Sequence, residues 1–157
     1  MSSQSQWVLV AYRIPREPST PRIAVWRKLR RLGALQLVDG LVALPRDSRT
    51  QEQLEWLAEE IVDAGGEATV WIGEPGSRSQ ERALAARMAE RAAAEYRTVI
   101  EAAGEVRTTS ATSRRRTLAR LRRALRAMRS RDYFPPPERE QAARAVEELA
   151  SLVEVEA

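Results

Sequence analysis

Residues 34–45, ALQLVDGLVALP, hold two short apolar runs joined only by Asp39-Gly40. Asp-Gly tolerates positive φ at both centres of a type I′ turn, whose twist suits two antiparallel strands, so the stretch predicts a two-residue β-hairpin. Upstream, Trp7 to Ile14 (WVLVAYRI) is a nearly continuous apolar and β-branched run closed by Pro15, which predicts a buried central strand. Between strand and hairpin, Ser19-Thr20-Pro21 predicts a helix start with a hydroxyl cap and proline in the first turn. On that helix Val25, Trp26, Leu29 and Leu32 share one face, Arg27, Lys28 and Arg31 point away, and Gly33 supplies a left-handed cap. Downstream, Leu54, Leu57, Ala58 and Ile61 predict a helix over 50–64, with Glu52, Glu55, Glu59 and Glu60 mostly outward. Gly65-Gly66 stops it, and ATVWI (68–72) supplies a fourth strand. The resulting order, β-α-β-β-α-β, predicts an α+β fold of ferredoxin-like arrangement, an antiparallel sheet covered on one face by two helices. An unrelated open sandwich would need the same elements connected less economically.

GEPGSRS, 73–79, is rich in glycine, proline and serine and places a domain boundary between residues 1–76 and 77–157. Beyond it, Leu84, Met88, Ala92, Tyr96, Val99, Ile100 and Ala103 trace a helical stripe, with a break expected over 104–113. A second helix is expected over 114–131, with Leu118, Leu121, Leu125 and Met128 as its seam. The prolines at 135–137 then precede a last helix lined by Val146, Leu149 and Val153. Three helices with narrow seams must pack on one another, on the sheet domain or on a second subunit.

The chain has 157 residues, 43% of them hydrophobic, enough for a core. Neither cysteine nor histidine occurs. Disulfides, thiolate nucleophiles, imidazole bases and ordinary zinc, haem or iron–sulfur ligand sets are thereby excluded. No phosphate loop, dinucleotide fingerprint or nucleophile elbow is present. Paired carboxylates such as Glu59-Glu60 fall on a solvated helix face, so the sequence predicts no enzyme and no cofactor. No apolar run is long enough for a membrane span and MSSQSQ has no features of a secretory signal, which predicts a cytoplasmic protein without a membrane partner.

Charge is unevenly placed. Residues 1–76 carry nine basic and ten acidic side chains, whereas 77–157 carry seventeen and twelve. Between Glu105 and Asp132 lie ten arginines and no acid. In the helix there, Arg115, Arg122, Arg126 and Arg129 form a row beside the leucine seam, and Arg116, Arg120 and Arg123 occupy the far face, with Arg114 in the first turn. Like charges at i and i+4 repel. Either an external polyanion balances them, since the guanidinium fork binds phosphate bidentately, or the acidic last helix does, through Glu138, Glu140, Glu147 and Glu148.

A second basic group, Arg27, Lys28 and Arg31 with Arg22 and Arg30, lies on the first helix. Arg22 falls on the core-facing side and is expected to pair with Asp39 or Asp47, a structural pairing favoured over the alternative of a ligand role. Trp7, Trp26 and Trp71 are expected in the core and Trp56 at the surface. DYFPP, 132–136, packs two aromatics beside prolines and is expected to act as a hinge clamp rather than a binding slot.

The string WVLVAYRIP through TPRIAVWRKLRRLGALQLVDGLVALP resembles the N-terminal domain of the chromate-resistance regulator ChrB. The matching positions are Arg22, Val25-Trp26-Arg27, Leu29, Gly33, Asp39-Gly40 and Leu44-Pro45, together with the DYFP segment at 132–135. The first half is more distantly similar to the middle domain of PaaX-type repressors and to the small nuclease subunit of CRISPR adaptation complexes. That subunit's acidic residue after the first strand is replaced by Tyr12-Arg13-Ile14, so nuclease chemistry does not carry over. The resemblance implies a bacterial, DNA-associated regulator of a chromate-resistance operon. The expected partners are DNA or another polyanion and a second copy of the chain. The alternative is a non-catalytic assembly module whose basic helix docks an acidic protein.

Overall fold

Apolar strand runs alternating with helical stripes in the first part of the chain, and helical stripes alone toward its end, build two different units. The computed structural model describes residues 5–156. The chain divides into two compact units, one up to Ala85 and one from Ala86 onward. The fold is α+β: a four-stranded antiparallel sheet with interleaved helices, followed by three helices.

The elements of the first unit are β1 (Trp7–Arg13), α1 (Ser19–Leu32), β2 (Leu35–Val38), β3 (Leu41–Pro45), α2 (Ser48–Asp63) and β4 (Glu67–Gly73). The sheet order is β2-β3-β1-β4, with every neighbouring pair antiparallel. Central β1 pairs Val8 with Leu44 and Ile72, and Val10 with Val42 and Val70. Val8, Val10, Val42 and Leu44, with Leu54, Leu57 and Ile61 of α2, are 0–2% exposed. The alternation of side chains across the strands puts Leu9, Ala11, Leu41 and Trp71 on the other face.

Helix boundaries follow local chemistry. Asp47 caps α2 by a capping box: its carboxylate accepts from Thr50 N at 2.7 Å, and Thr50 Oγ1 accepts from Asp47 N at 2.9 Å. Thr50 Oγ1 also donates to Pro45 O at 2.7 Å, which explains a fully buried polar residue. In α1 the expected hydroxyl cap is absent. Pro18 is the N-cap and no side chain caps the helix. The C-cap is Gly33 at φ 71°, as its sequence position predicts.

The hairpin forms, but not with a type I′ turn. Gly40 has φ 75° and no residue other than glycine has positive φ among the described residues, so Asp39 lies outside the left-handed region. The irregularity between Gln36 and Val38 takes up the difference. Gly40 O accepts from Tyr12 N at 2.7 Å, and a Cβ at Gly40 would lie 2.5 Å from Tyr12 O. Gly40→Ala should therefore cost about 2–3 kcal/mol, strain and clash together. Gly65 has φ 88° with nothing within 4 Å of its Cβ direction, so Gly65→Ala should cost only about 1 kcal/mol. Urea unfolding of the two variants measures the difference. Equal midpoints would contradict the close approach to β1.

Two tryptophans depart from expectation. Trp7 is buried and Trp56 exposed, as predicted, but Trp26 is 55% and Trp71 60% exposed. Val25 and Leu29, four residues apart, point α1 into the core. Trp26 is rotated to the margin of that face, where the Arg30 guanidinium sits 4.9 Å from its ring centroid. Trp71 shares the opposite sheet face with Thr69, whose Oγ1 accepts from its indole N–H at 3.0 Å.

The helical segment contains α3 (Arg78–Val106), α4 (Ala111–Ser130) and α5 (Glu138–Val155), α3 beginning in the first unit. The break expected over 104–113 is shorter than predicted: α3 continues through Gly104 to Val106, and the chain turns over 107–110 before α4 begins at Ala111. A mid-helix glycine costs about 1 kcal/mol, and burial of Ala103 and Val106 beside it offsets that. The core of the second unit joins Tyr96, Val99, Leu118, Leu121, Leu125, Val146 and Leu149.

A polar clamp ties this core together. Tyr96 donates its O–H to Asp132 Oδ2 at 2.8 Å. Arg139 Nη1 lies 3.7 Å from the same oxygen, and the Asp132 side chain is 1% exposed. Nearby, Arg131 is paired with Glu95 at 2.8 Å. The segment 132–136, expected as a clamp, is thus anchored through its aspartate.

Burial, followed by the hydrogen bond to Asp132 and its charge, holds the Tyr96 phenol well above the ordinary tyrosine value of 10.0. Because the folded-state value is raised, this contribution is complete below pH 10 and is lost as pH climbs above it. In denaturant melts from pH 9 to 11.5, stability should fall more steeply for the parent than for Tyr96→Phe. Parallel curves would remove the clamp from the pH response.

Candidate nucleic-acid interface

Helix α4 has a narrow apolar seam and a wide cationic surface because its leucines and Met128 recur at three- and four-residue spacing while arginine fills half of the remaining positions, with only Ala, Ser and Thr in the others. Leu118, Leu121 and Leu125 are buried. Ser110 caps the helix, its hydroxyl accepting from Ser113 N at 3.2 Å. With the seam fixed inward, Arg115, Arg116, Arg120, Arg122, Arg123, Arg126 and Arg129 are all exposed.

The acidic residues of α5 do not neutralise them. Glu138 approaches Arg97 at 3.8 Å, Glu148 approaches Arg107 at 3.5 Å, and Glu156 pairs with Arg114. Among the described residues no ion pair reaches any of the seven exposed α4 arginines. Arg114 differs from them. Its side chain is 15% exposed, and besides Glu156 it donates to Arg107 O at 3.1 Å and to Thr109 O. It braces the α3–α4 turn.

Arg27, Lys28 and Arg31 lie on α1 in the first unit. Lys28 is paired with Glu60, while Arg27 and Arg31 are exposed. The candidate residues are therefore divided between the two units, α1 in the first and α4 in the second.

The structure adds a feature that no motif announces. Tyr12, Arg13, Arg16, Arg22, Trp26 and Asp39 help line a polar cleft of about 500 Å³ in the first unit. Arg22 is exposed in it and makes no ion pair with Asp39 or Asp47, contrary to the sequence-based expectation. Asp47 is engaged in capping α2, and Asp39 Oδ1 accepts from Gln36 Nε2 at 3.2 Å. Burial, ahead of the opposed fields of Arg22 and Asp39, raises the Tyr12 phenol above its usual value, so it presents an O–H. The signal in sequence was RIPREPSTPR, residues 13–22, cationic and without periodicity. Only the sheet brings it beside Asp39 and Trp26.

Among the described residues no three carboxylates gather where they could hold a metal ion. No helix among them is long and apolar enough to cross a membrane.

Residues 22–155 match the family model described as "Protein ChrB, N-terminal". Protein ChrB of Cupriavidus metallidurans is 28% identical over 138 residues, covering 85% of this chain. The chain spans 42% of that relative's length. No solved structure matches.

Proposed function

The chain belongs to the family of the ChrB N-terminal domain, and from that premise we propose that it is a DNA-binding module of a transcriptional regulator associated with chromate resistance. The observation that carries this reading is the α4 surface. Seven exposed arginines on one helix have no acidic partner among the described residues, while the arginines around them do. A duplex offers phosphates at regular spacing, and each one neutralised releases condensed counterions. Arginine makes the paired, planar contact that phosphate accepts.

Contacts of this kind position a protein without reading bases. α4 therefore supplies affinity, and sequence preference comes from elsewhere in the regulator. The module itself is non-catalytic and works without a cofactor. Its sheet unit is of the ferredoxin-like class, a reading supported by the β2-β3-β1-β4 order and wholly antiparallel pairing. We propose further that the module pairs with a second copy of itself, as a symmetric dimer would on two half-sites, through an exposed edge strand of the sheet, β2 or β4, since the helical seams are already buried within the second unit.

Fluorescence anisotropy with two unrelated 20-base-pair duplexes tests the reading. The affinities should agree within about threefold, and log K should fall against log salt with a slope of about −4.5 to −6.3, for five to seven phosphates. A slope near zero would remove phosphate contact as the basis of binding. Tight binding to an acidic protein by the same helix, with no DNA affinity, would favour the assembly-module reading instead.

A further inference from the structure

We propose that the cleft between the end of β1 and the start of α1 is a second, separate site, which binds a nucleoside monophosphate through its phosphate and its base together. Arg13, Arg16 and Arg22 bring three guanidinium groups to the cleft against one carboxylate, Asp39. None of the three makes an ion pair among the described residues, although Arg13 stands opposite Glu67 in the β1–β4 ladder. The first turn of α1, which contributes Arg22, has neither an acidic residue nor a side-chain cap. The positive end of that helix therefore adds to the arginines rather than being neutralised. The phenolic O–H of Tyr12 is a further donor at the cleft. These are the groups that hold a phosphate dianion.

The cleft also holds more than an inorganic anion requires. Its volume of about 500 Å³ falls in the range of pockets for organic ligands. Trp26 lines it and is 55% exposed, with Arg30 stacked on its indole to fix the ring. An exposed indole held in place beside a phosphate site is a stacking platform for a base. Asp39, steadied by Gln36, offers carboxylate oxygens to ribose hydroxyls, as acidic residues do in other nucleotide sites. A bare oxyanion would use the arginines and leave Trp26 and Asp39 idle.

The ligand's source is either a free mononucleotide or the phosphorylated 5′ end of a single strand. Calorimetry on the full chain separates the possibilities, using the four 5′-mononucleotides, adenosine, inorganic phosphate, and a tetranucleotide with and without a 5′-phosphate. At least one mononucleotide should bind tenfold or more tightly than either adenosine or inorganic phosphate. The double variant Arg16→Gln/Arg22→Gln should lose at least tenfold in mononucleotide affinity. Trp26→Leu should bring the mononucleotide down to the affinity of inorganic phosphate and leave phosphate binding unchanged.

All three positions are exposed, and circular dichroism checks that the variants fold. A variant with α4 arginines replaced should bind mononucleotides as the parent does, which separates this site from the duplex interface. Equal affinity for the mononucleotide and the phosphorylated tetranucleotide assigns the site to strand ends. Preference for the free mononucleotide assigns it to a soluble ligand, and both results uphold the site. The proposal is overturned if no mononucleotide exceeds inorganic phosphate, or if affinity follows the α4 arginines.

Discussion

Tyr96→Ala should destabilise the helical unit by about 3–5 kcal/mol, the cost of removing a large aromatic side chain from a packed interior. Tyr96 is 0% exposed and sits in the cluster with Val99, Leu121, Leu125 and Leu149. Its loss removes ring contacts to that core and also the O–H that satisfies Asp132 Oδ2. The carboxylate, 1% exposed, would keep only the longer approach of Arg139 Nη1, and Asp132 Oδ1 already has no partner among the described residues. Leaving a buried charged group short of a donor adds to the cavity cost.

Tyr96→Phe separates the two contributions, because it keeps the ring and deletes the hydrogen bond. It should cost about 1–3 kcal/mol. Guanidinium unfolding followed by helical circular dichroism gives both values. A loss below about 1 kcal/mol for the alanine variant would mean that the three helices do not depend on this core.

Elements with strong local signals were legible in the sequence: the hairpin around Asp39-Gly40, the α1 stop at Gly33, the apolar stripe of α2 and the leucine seam of α4. In each, the side-chain period or a glycine's conformational freedom decides the outcome within a few residues. Features set by tertiary contact were not. Gly40 is held against Tyr12 of β1, and that contact, not the dipeptide, selects the turn geometry. Helical periodicity placed Trp26 beside Val25 and Leu29, yet the rotation that buries those two leaves Trp26 outside. Gly104 reads as a breaker until Ala103 and Val106 are seen to be buried on either side of it.

The candidate sites divide along the same line. The α4 arginines follow from spacing alone, since a helix with a leucine seam must expose whatever fills its remaining positions. The special role of Arg114 depends on Glu156 and on carbonyls seven and five residues away, and no periodic pattern predicts it. The cleft joins residues of β1, the loop after it, α1 and the hairpin, and became apparent only with the strand order.

The second large effect concerns the central claim, that exposed α4 arginines hold nucleic-acid phosphates. Arg115, Arg116, Arg122, Arg123 and Arg126 are free of ion pairs among the described residues, so replacing them breaks no recorded salt bridge. Glutamine has a helix propensity close to arginine's, so the fold should survive all five changes. The deciding measurement is the salt dependence of duplex binding for the parent and for the variant carrying Gln at these five positions. Log K falls by roughly 0.9 per neutralised phosphate for each tenfold rise in salt. The variant's slope should therefore be shallower by about 4–5 units, with affinity reduced alike for unrelated sequences. A folded variant that binds DNA as tightly as the parent, with an unchanged slope, would contradict the claim and leave these arginines as a solvated face or a surface for an acidic protein.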